Sequence, residues 1–331
     1  MKHILVTGGA GYIGSHMVKL LIESGFVVTS FDNLSSGHKD SIYGGNLLIG
    51  DLRNIEDLEK LFISNNFDAV IHFAGLISVG ESIQNPSIYY DNNVTGSINL
   101  LKTMIKYDVK NIIFSSTAAV FGNPLSPSIS ENHPKAPINP YRKTKLIVEQ
   151  ILSDFNTSHG IQYGILRYFN ASGADKSGKI GERHYPETHL IPLTIFAAVS
   201  SDHYLSIFGT DYPTNDGTCI RDYIDASDLC DAHLLVLNEL LNSNNQCFEF
   251  NLGNGNGNGY SVLDIIDSIE KLSKQKVKYK LCPRRTGDPS TLIANSTTIK
   301  NTLGWRPKYN SLDDIIQHAI VWELSQKRYI I

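Results

Sequence analysis

A glycine-rich turn near the start of the chain constrains the fold more than any other feature. Gly8, Gly11 and Gly14 follow a short apolar run at residues 3–7 and precede an amphipathic stretch at residues 12–23. Glycine allows a tight turn and a close backbone approach to a pyrophosphate, which then lies at the N-terminus of the following helix. Because the strand and the helix that such a site requires are both present, this region predicts a dinucleotide-binding βαβ unit.

An acidic residue at the end of the second apolar run indicates which dinucleotide binds. Asp32 lies 18 positions after Gly14. A carboxylate there accepts hydrogen bonds from the adenosine ribose and repels a 2′-phosphate. The pattern therefore predicts NAD rather than NADP. The alternative, a purely structural glycine turn with Asp32 capping a strand end, stays open at this point.

Apolar runs rich in β-branched residues alternate with amphipathic stretches through the first half of the chain. Strands are predicted at residues 3–7, 27–31, 46–50, 69–73, 111–115 and 163–169, and helices at 12–23, 55–64, 87–107 and 141–157. Nearly continuous apolar strands that alternate with helices are typical of a buried parallel sheet. We therefore expect an α/β fold with a doubly wound parallel sheet of the Rossmann type.

After Asn170 this alternation gives way to loops rich in Gly, Pro and His. Helices are predicted again at residues 190–201, 226–241, 261–271 and 312–324, and a buried strand at 247–252. We expect two domains: an NAD-binding domain of residues 1–170, rejoined by about 220–252, and a smaller, irregular C-terminal substrate lobe of residues 171–219 and 253–331.

Composition narrows the classes of function. The net charge is −4 and there is no basic tract, so nothing favours a nucleic-acid partner. No apolar run approaches the length of a membrane span. The four cysteines form no Cys-x-x-Cys pair, and the 11 histidines show no metal-ligand spacing such as His-x-x-x-His. We expect a cytoplasmic protein with reduced thiols and without a metal, nucleic-acid or membrane partner.

A tyrosine and a lysine with helical spacing indicate acid–base chemistry. Tyr141 and Lys145 are four residues apart near the start of a predicted helix, so their side chains share one face. A tyrosine with its ordinary pKa of about 10 is a weak base at neutral pH. A neighbouring ammonium and a cationic nicotinamide both favour the phenolate that a general base needs. Residues 115–117 end the fifth predicted strand, where open α/β sheets bind ligands, and a hydroxyl there can relay a proton to Tyr141.

Longer runs of sequence resemble one family of the short-chain dehydrogenase/reductase superfamily. The Gly-x-x-Gly-x-x-Gly and Tyr-x-x-x-Lys spacings resemble the superfamily as a whole. The runs at residues 72–75, 89–94, 139–141, 166–170, 211–214, 216–218, 221–224 and 283–288 resemble the UDP-glucose 4-epimerase family, from residue 4 to about Trp305. This resemblance implies an NAD-dependent isomerase that interconverts UDP-glucose and UDP-galactose through a 4-keto sugar, and it implies a homodimer.

The resemblance also implies a role for each matching residue. Catalysis is expected from Thr117, Tyr141 and Lys145. The residues expected to bind the cofactor are Gly8, Gly11, Tyr12, Ile13, Gly14, Asp32, Asn33, Ser36, Asp51, Leu52, Phe73, Ala74, Gly75, Asn92, Tyr141, Lys145 and Phe169. The residues expected to bind the UDP-sugar are Thr117, Asn170, His189, Leu190, Ser206, Ile207, Phe208, Arg221, Arg285, Asp288 and Leu292. Among these, the two arginines suit the diphosphate because guanidinium groups bind it bidentately.

Departures from the family pattern define the alternatives. Leu292 stands where members with tyrosine exclude N-acetylated sugars, so a UDP-N-acetylglucosamine 4-epimerase or a dual-specificity epimerase is the main alternative. His189 stands where some members have asparagine. A nucleotide-sugar dehydratase is disfavoured because Ala118 and Ala119 occupy the positions of its acid–base pair. A non-catalytic NAD-binding protein is disfavoured because such proteins commonly lose the tyrosine or lysine that this chain keeps.

Overall fold

The structure is a computed structural model that describes residues 1–255, 257–285 and 287–326. Thr286, which belongs to the 283–288 run, and the last five residues of the predicted substrate lobe lie outside this part of the chain. The chain divides into two compact units. Unit 1 comprises Met1–Gly122, Pro134–Tyr168 and Cys230–Phe250, and unit 2 comprises Asn123–His133, Phe169–Leu229 and the described residues from Asn251 onward.

The described residues form 15 strands and 11 α-helices. The strands are β1 (His3–Thr7), β2 (Val27–Asp32), β3 (Asn46–Ile49), β4 (Ala69–His72), β5 (Asn111–Thr117), β6 (Ser128–Ile129), β7 (Gln162–Tyr168), β8 (Asn170–Ser172), β9 (Leu205–Phe208), β10 (Ile220–Arg221), β11 (Tyr223–Asp225), β12 (Cys247–Leu252), β13 (Tyr260–Ser261), β14 (Tyr279–Cys282) and β15 (Thr291–Ala294). The helices are α1 (Tyr12–Glu23), α2 (Ile55–Ile63), α3 (Val79–Gln84), α4 (Pro86–Tyr89), α5 (Gly96–Lys106), α6 (Pro140–His159), α7 (Leu190–Val199), α8 (Ala226–Asn242), α9 (Val262–Ser273), α10 (Thr297–Leu303) and α11 (Leu312–Ser325). None of the helices within the described ranges combines the length and the apolar character needed to cross a bilayer.

Unit 1 is built on a seven-stranded sheet with the strand order β12-β7-β5-β4-β1-β2-β3. The pairings of β1 with β2 and β4, of β2 with β3, and of β5 with β4 and β7 are all parallel. The chain adds β2 and β3 on one side of β1 and then returns to add β4, β5 and β7 on the other. The predicted doubly wound α/β fold is therefore confirmed, and its topological switch point lies between β1 and β4.

The central strands are apolar along their length because both faces of the sheet are covered. On one face, Leu5 of β1 and Val70 of β4 belong to a buried cluster with Leu58 of α2, Leu100 of α5 and Val148 of α6. All five side chains have 1% or less of their surface exposed. Burying an aliphatic side chain this completely contributes about 1.5–3 kcal/mol, so this cluster is a main source of the stability of unit 1.

The helix predicted at residues 87–107 is interrupted in the structure. A π-helical segment, Tyr90–Thr95, separates α4 from α5. Within it, Asn93 Nδ2 donates to the Leu76 carbonyl at 3.0 Å, and Asn93 Oδ1 accepts from the Leu76 N–H at 2.8 Å. Single π-helical turns inside α-helices are frequent at functional sites. Hydrophobic periodicity could not predict the interruption, because the bonds that accompany it reach a loop 17 residues away.

Unit 2 contains three smaller sheets, β13-β10-β15-β6, β11-β8 and β14-β9. Helices α7, α9 and α11 share a buried apolar core that includes Ile195, Ile265, Ile269, Ile315 and Ile316. Short strands of two to four residues in this unit account for the irregular pattern of the second half of the sequence.

The two compact units divide the chain differently from the expected domains, most of all at residues 123–133 and 220–229. Residues 123–133 were expected in the first domain, but β6 pairs with β15 and thereby belongs to unit 2. Residues 220–229 were expected to rejoin the first domain, but β10 pairs with β13 and β15, and β11 pairs with β8. These pairings join segments far apart in the sequence, which local patterns do not reveal.

A buried ion network lies beside β5 and β7 in unit 1. The Arg167 side chain has no exposed surface, and its Nε and Nη2 donate to the two carboxylate oxygens of Glu149, each at 2.8 Å. Arg167 also donates to Glu249, and Ser116 Oγ donates to Glu149 Oε1 at 2.6 Å. Bidentate pairing of this kind offsets the desolvation of both charges only while both partners are present.

The substitution Arg167→Met is expected to lower the free energy of unfolding by about 3 kcal/mol, because it leaves the Glu149 carboxylate buried without its main counter-charge. Urea unfolding measures the change. The matched control is Lys106→Met, which removes the exposed ion pair between Lys106 and Glu59 and should change stability little. Equal losses of stability in the two variants would contradict this account of the network.

Candidate functional site

The turn between β1 and α1 contains close backbone approaches that only glycine permits. Gly8 has a φ of +72°, and a Cβ on it would lie 2.6 Å from the Ala74 nitrogen. A Cβ on Gly14 would lie 2.1 Å from the Gly8 carbonyl oxygen. Gly11 is the N-cap of α1, no side chain caps this end, and Tyr12 and Ile13 form its first turn. The N–H groups of this uncapped first turn and the positive end of the helix dipole therefore suit a pyrophosphate.

Asp32 is held at the carboxyl end of β2 beside this turn. Its Oδ2 accepts from the Ala10 N–H at 3.0 Å, and its Oδ1 accepts from the Leu34 N–H at 2.8 Å. A Cβ on Gly37 would lie 2.9 Å from Asp32 Oδ1, so the neighbouring loop approaches the carboxylate closely. This is the position at which the acid of a dinucleotide-binding fold meets the adenosine ribose.

Four more residues predicted to bind the cofactor follow β2 and β3. Asn33 Nδ2 donates to Asp51 Oδ2 at 3.0 Å, and Arg53 Nε and Nη2 donate to the same carboxylate at 3.0 and 2.7 Å. Hydrogen bonding from Arg53 lowers the pKa of Asp51 well below its ordinary value. Leu52 is buried and Ser36 is exposed. The structure thus brings Asn33 and Asp51 together.

The loop after β4 brings residues predicted to bind the cofactor close to a residue predicted to be catalytic. The N–H groups of Phe73 and Ala74 donate to the Thr7 carbonyl at 3.0 and 3.1 Å. A Cβ on Gly75 would lie 3.3 Å from Asn93 Oδ1 and 3.5 Å from Lys145 Nζ. Gly75 therefore lies directly beside the catalytic lysine predicted from the sequence.

Asn92, which is predicted to bind the cofactor, lies next to Asn93, which the sequence analysis did not single out. Asn92 Nδ2 donates to Asn93 Oδ1 at 3.0 Å, whereas Asn93 bonds the loop at Leu76 and also donates to Thr144 Oγ1 at 3.1 Å. Both asparagines lie in the 89–94 run that carries the family resemblance. No local signal separates the two, because the π-helical segment decides which of them reaches the loop after β4.

Helix α6 positions Tyr141 and Lys145 by its well-defined start. Asn139 caps the helix, with its Oδ1 accepting from the Arg142 N–H at 3.0 Å, and Pro140 occupies the first helical position. Asparagine at the cap and proline in the first turn both stabilise a helix start. The helix start therefore fixes Tyr141 in the first turn and Lys145 one turn later.

Lys145 is buried next to β5. Its Nζ donates to the Ser115 carbonyl at 2.8 Å and lies 4.8 Å from the centroid of the Phe114 ring. Burial lowers the pKa of Lys145 to about 8, and the nearby Glu149 carboxylate opposes that shift. Sequence reasoning missed Glu149, although its position four residues after Lys145 on the same helix is a signal that could have identified it.

Tyr141 lies beside Thr117, the last residue of β5. Desolvation raises the pKa of Tyr141, whereas a hydrogen bond with Thr117 and the charge of Arg142 lower it. Thr117 Oγ1 also accepts from the Ala119 N–H at 3.1 Å, which fixes the threonine side chain at the strand end. The structure thus brings together Thr117, Tyr141 and Lys145 within unit 1.

A buried histidine, His72, lies near Lys145. His72 Nδ1 lies 2.7 Å from Thr7 Oγ1, and His72 Nε2 lies 2.9 Å from Ser97 Oγ. Burial and the charge of Lys145 lower the pKa of His72 to about 3. His72 therefore adds no positive charge beside Lys145 at neutral pH.

Within unit 2, several residues predicted to bind the UDP-sugar meet. Arg221 on β10 is paired in register with Leu292 on β15, and its Nη2 lies 3.8 Å from Asp288 Oδ1. The Arg285 guanidinium lies 3.9 Å from the centroid of the Phe208 ring. Ser206, Ile207 and Phe208 form β9 together with Leu205. The structure therefore places Arg221 close to Asp288 and Leu292. It also places Arg285 close to Phe208.

The remaining predicted residues of unit 2 make contacts of their own. The Asn170 N–H and its Nδ2 both donate to the Asp222 carbonyl at 3.0 Å, and the Phe169 N–H donates to the Leu252 carbonyl at 3.1 Å. His189 is the N-cap of α7 and Leu190 is its first residue. The His189 ring contacts an acidic side chain, since its Nδ1 lies 2.6 Å from Glu182 Oε1.

Comparisons with known proteins cover nearly the whole chain. Residues 5–319 match a family model described as GDP-mannose 4,6 dehydratase. A UDP-glucose 4-epimerase of Halalkalibacterium halodurans is 47% identical over 319 residues, which are 96% of this chain and 95% of that protein. A UDP-glucose 4-epimerase of Brucella ovis in complex with NAD has a TM-score of 0.93 and 42% identity, over 97% of this chain and 98% of that one. The UDP-Glc/GlcNAc 4-epimerase of Campylobacter jejuni has a TM-score of 0.85 and 40% identity, over 98% of this chain and 100% of that one.

The residues after β5 distinguish the dehydratase and epimerase descriptions. Ala118 and Ala119 stand at the positions where a nucleotide-sugar dehydratase is expected to carry an acid and a base. Neither alanine can transfer a proton. Tyr141 and Lys145 are present, and the relatives that match at 40–47% identity over nearly their whole length are 4-epimerases. The chain therefore belongs to the UDP-glucose 4-epimerase family of the extended short-chain dehydrogenase/reductase superfamily.

Proposed function

We propose that this chain is an NAD-dependent isomerase that interconverts UDP-glucose and UDP-galactose through a 4-keto sugar. The observation that carries the proposal is the arrangement of Thr117, Tyr141 and the buried Lys145 at the end of β5 and the start of α6. A tyrosine held beside a hydroxyl and a buried cation is equipped to exchange a proton with a sugar hydroxyl.

The residues of unit 1 fit NAD as the bound cofactor. The turn at Gly8 and Gly14 has no space for side chains, the first turn of α1 has no side-chain cap, and the Asp32 carboxylate is fixed at the end of β2. When bound, NAD would supply the hydride-transfer chemistry of the reaction at C4 of the sugar. The residues that would hold it are Gly8, Gly11, Tyr12, Ile13, Gly14, Asp32, Asn33, Ser36, Asp51, Leu52, Phe73, Ala74, Gly75, Asn92, Tyr141, Lys145 and Phe169.

Tyr141 moves the proton of the reaction. As a phenolate it accepts the proton of the sugar O4 hydroxyl when the carbonyl forms, and it returns that proton when the carbonyl is reduced. Desolvation alone keeps Tyr141 protonated, so the Lys145 ammonium and the Thr117 hydroxyl must stabilise the phenolate. With a pKa of about 8, Lys145 is largely protonated at neutral pH and supplies that positive charge. Net oxidation is nil, because each cycle restores both the proton and the hydride.

The residues of unit 2 bind the UDP part of the substrate in this proposal. Arg221 and Arg285 contact the diphosphate, since two planar guanidinium groups suit its charge and geometry. Asp288 accepts hydrogen bonds from the uridine ribose. The remaining predicted contacts are Asn170, His189, Leu190, Ser206, Ile207, Phe208 and Leu292. The distances of Arg221 from Asp288 and of Arg285 from Phe208 support a shared nucleotide site for these four residues.

A second activity, on N-acetylated UDP-sugars, is favoured by Leu292. Leucine lacks the ring and hydroxyl of the tyrosine that excludes the acetamido group in other members of the family. Purified protein mixed with equal UDP-galactose and UDP-N-acetylgalactosamine, without added NAD, tests both activities by NMR. Conversion of UDP-galactose alone supports the first activity only, and conversion of both supports dual specificity. If neither sugar changes, even with NAD added, the proposal fails.

The proposal extends to a homodimer in the cytoplasm. The family resemblance supports pairing of the helices at residues 87–107 and 141–157 across a two-fold axis. All four cysteines are free thiols in the structure, which supports a reducing compartment. Sedimentation equilibrium measures the oligomeric state directly.

Tyr141→Phe is expected to lower kcat for epimerisation by at least about 100-fold while the protein still binds NAD, because it removes the proton acceptor and little volume. Conversion of UDP-galactose, followed by NMR, measures kcat, and the cofactor content of the purified variant measures NAD binding. The control is Tyr43→Phe, at a tyrosine that is 50% exposed, and it should leave kcat unchanged. Retention of wild-type activity by Tyr141→Phe would exclude this tyrosine as the base.

Lys145→Met is expected to shift the acidic limb of the kcat/KM–pH profile to higher pH, in addition to lowering activity. Removal of a positive charge makes the Tyr141 phenolate less favourable and raises its pKa, so a higher pH is needed to form it. Lys143→Met, at an exposed position of the same helix, should leave the profile in place. The same profile for Lys145→Met and wild type would show that this lysine does not tune the tyrosine.

Leu292→Tyr is expected to lower kcat/KM for UDP-N-acetylgalactosamine by about 10-fold or more relative to kcat/KM for UDP-galactose, because the ring fills space that an acetamido group needs. Leu292→Met keeps the volume nearly constant and serves as the control. Competition between the two substrates in one NMR time course measures the ratio. If Leu292→Tyr leaves the ratio unchanged, Leu292 does not face the C2 substituent.

A further inference from the structure

Four ionisable side chains of unit 2 converge just before α7. Glu182, His184, Glu187 and His189, here called the Glu-His cluster, each direct one nitrogen or oxygen to a common point, and these four atoms lie within 4.8 Å of one another. Across residues 1–255, 257–285 and 287–326, this is the one group of three or more His, Cys, Asp or Glu residues with that property. The reaction proposed above uses at most one of the four, His189.

The distances within the Glu-His cluster match those between the ligands of one metal ion. Glu182 Oε1 lies 3.1 Å from His184 Nδ1 and 2.6 Å from His189 Nδ1. Glu187 Oε1 lies 3.3 Å from His189 Nδ1, and Glu187 Oε2 lies 3.8 Å from His184 Nδ1. Ligands at 2.0–2.1 Å from a tetrahedral zinc ion are about 3.3–3.4 Å apart. The observed distances bracket that value, so small rotations of the side chains would complete the shell.

The carboxylates of Glu182 and Glu187 are largely buried and therefore require a positive charge nearby. The Glu182 and Glu187 side chains are 6% and 16% exposed. Glu187 Oε2 is buried, and no residue in the described part of the chain donates a hydrogen bond to it. Two desolvated carboxylates require compensating positive charge, and a divalent ion with two neutral imidazoles supplies it in full.

Neighbouring groups hold the cluster in place. Glu187 Oε1 accepts from the N–H groups of Thr188 and His189 at 2.7 and 2.9 Å, and Trp322 Nε1 donates to the Glu182 carbonyl at 2.8 Å. The rings of His184 and His189 lie 5.1 Å apart. Outer hydrogen bonds of this kind orient metal ligands and raise metal affinity.

We propose that the Glu-His cluster binds one divalent transition-metal ion, with Zn²⁺ as the ion that it fits best. Imidazole nitrogens favour zinc and its transition-metal neighbours over Mg²⁺ and Ca²⁺, which require oxygen ligands. Four protein ligands fill a tetrahedral shell, which is typical of a structural rather than a catalytic zinc site. The ion would tie the segment from Glu182 to His189 onto the start of α7.

This assignment departs from two expectations drawn from the sequence. No metal was expected, because the histidines lack a familiar spacing, but the ligands here alternate glutamate and histidine within eight residues. His189 was expected to bind the UDP-sugar, whereas in this proposal its Nδ1 binds the metal and only the rest of the ring is left to contact the UDP-sugar. The proposed site does not depend on the epimerase reaction, so its test requires no activity measurement.

Zinc titration of the untagged, full-length protein with its bound cofactor tests the site. After treatment with a chelator and its removal, ZnCl₂ is added in a calorimeter. We expect one Zn²⁺ per chain with a micromolar or tighter Kd, together with a rise in the thermal midpoint on zinc addition. No binding at these concentrations would overturn the proposal.

Substitutions locate the bound ion. The double substitution His184→Gln with His189→Gln is expected to weaken zinc binding by at least about 100-fold and to abolish the rise in the thermal midpoint. The control His159→Gln, at an exposed position of α6, should bind zinc as wild type does. Zinc that is held instead by thiols would bind the double variant with unchanged affinity, which would also overturn the proposal. If circular dichroism shows that the double variant does not fold, Glu182→Gln provides the same comparison with nearly unchanged shape.

Discussion

The approach of the loop after β4 to the end of β1 is the constraint on which unit 1 depends. The Thr7 carbonyl accepts from both Phe73 and Ala74, and the Ala74 nitrogen would lie 2.6 Å from any Cβ on Gly8. A side chain at Gly8 would push these two segments apart at the topological switch point, where the sheet changes direction and where doubly wound folds bind their ligands. The same loop continues to Gly75 beside Lys145, so the glycine turn and this lysine belong to one connected arrangement.

Lys145 shows how the fold sets a pKa through opposing effects. Burial beside β5 lowers the pKa of Lys145 to about 8, and Glu149 limits that shift. Glu149 is itself buried and is compensated by Arg167, so the network that stabilises unit 1 also sets the electrostatic environment of its site. A lysine that is buried without such a carboxylate would lose its proton more readily and could not support a phenolate at Tyr141.

Much of the site could be predicted from the sequence because the determining patterns are local. A glycine turn between a strand and a helix, an acid at the end of the next strand, and a tyrosine four residues before a lysine each require only neighbouring residues. The π-helical segment shows the limit of such patterns. Asn92 and Asn93 have the same side chain, and only the contacts of this segment show which of them bonds Leu76.

The sequence by itself determined the doubly wound sheet and the NAD preference, and it placed Tyr141 four residues before Lys145, because each of these follows from periodicity or from spacing within one βα unit. The tertiary structure decided which distant segments join. It placed residues 123–133 in unit 2 through the pairing of β6 with β15, and it turned Glu182, His184, Glu187 and His189 toward one point. Strand pairing and side-chain convergence depend on contacts between segments that are far apart in the sequence. Local sequence patterns do not specify such contacts.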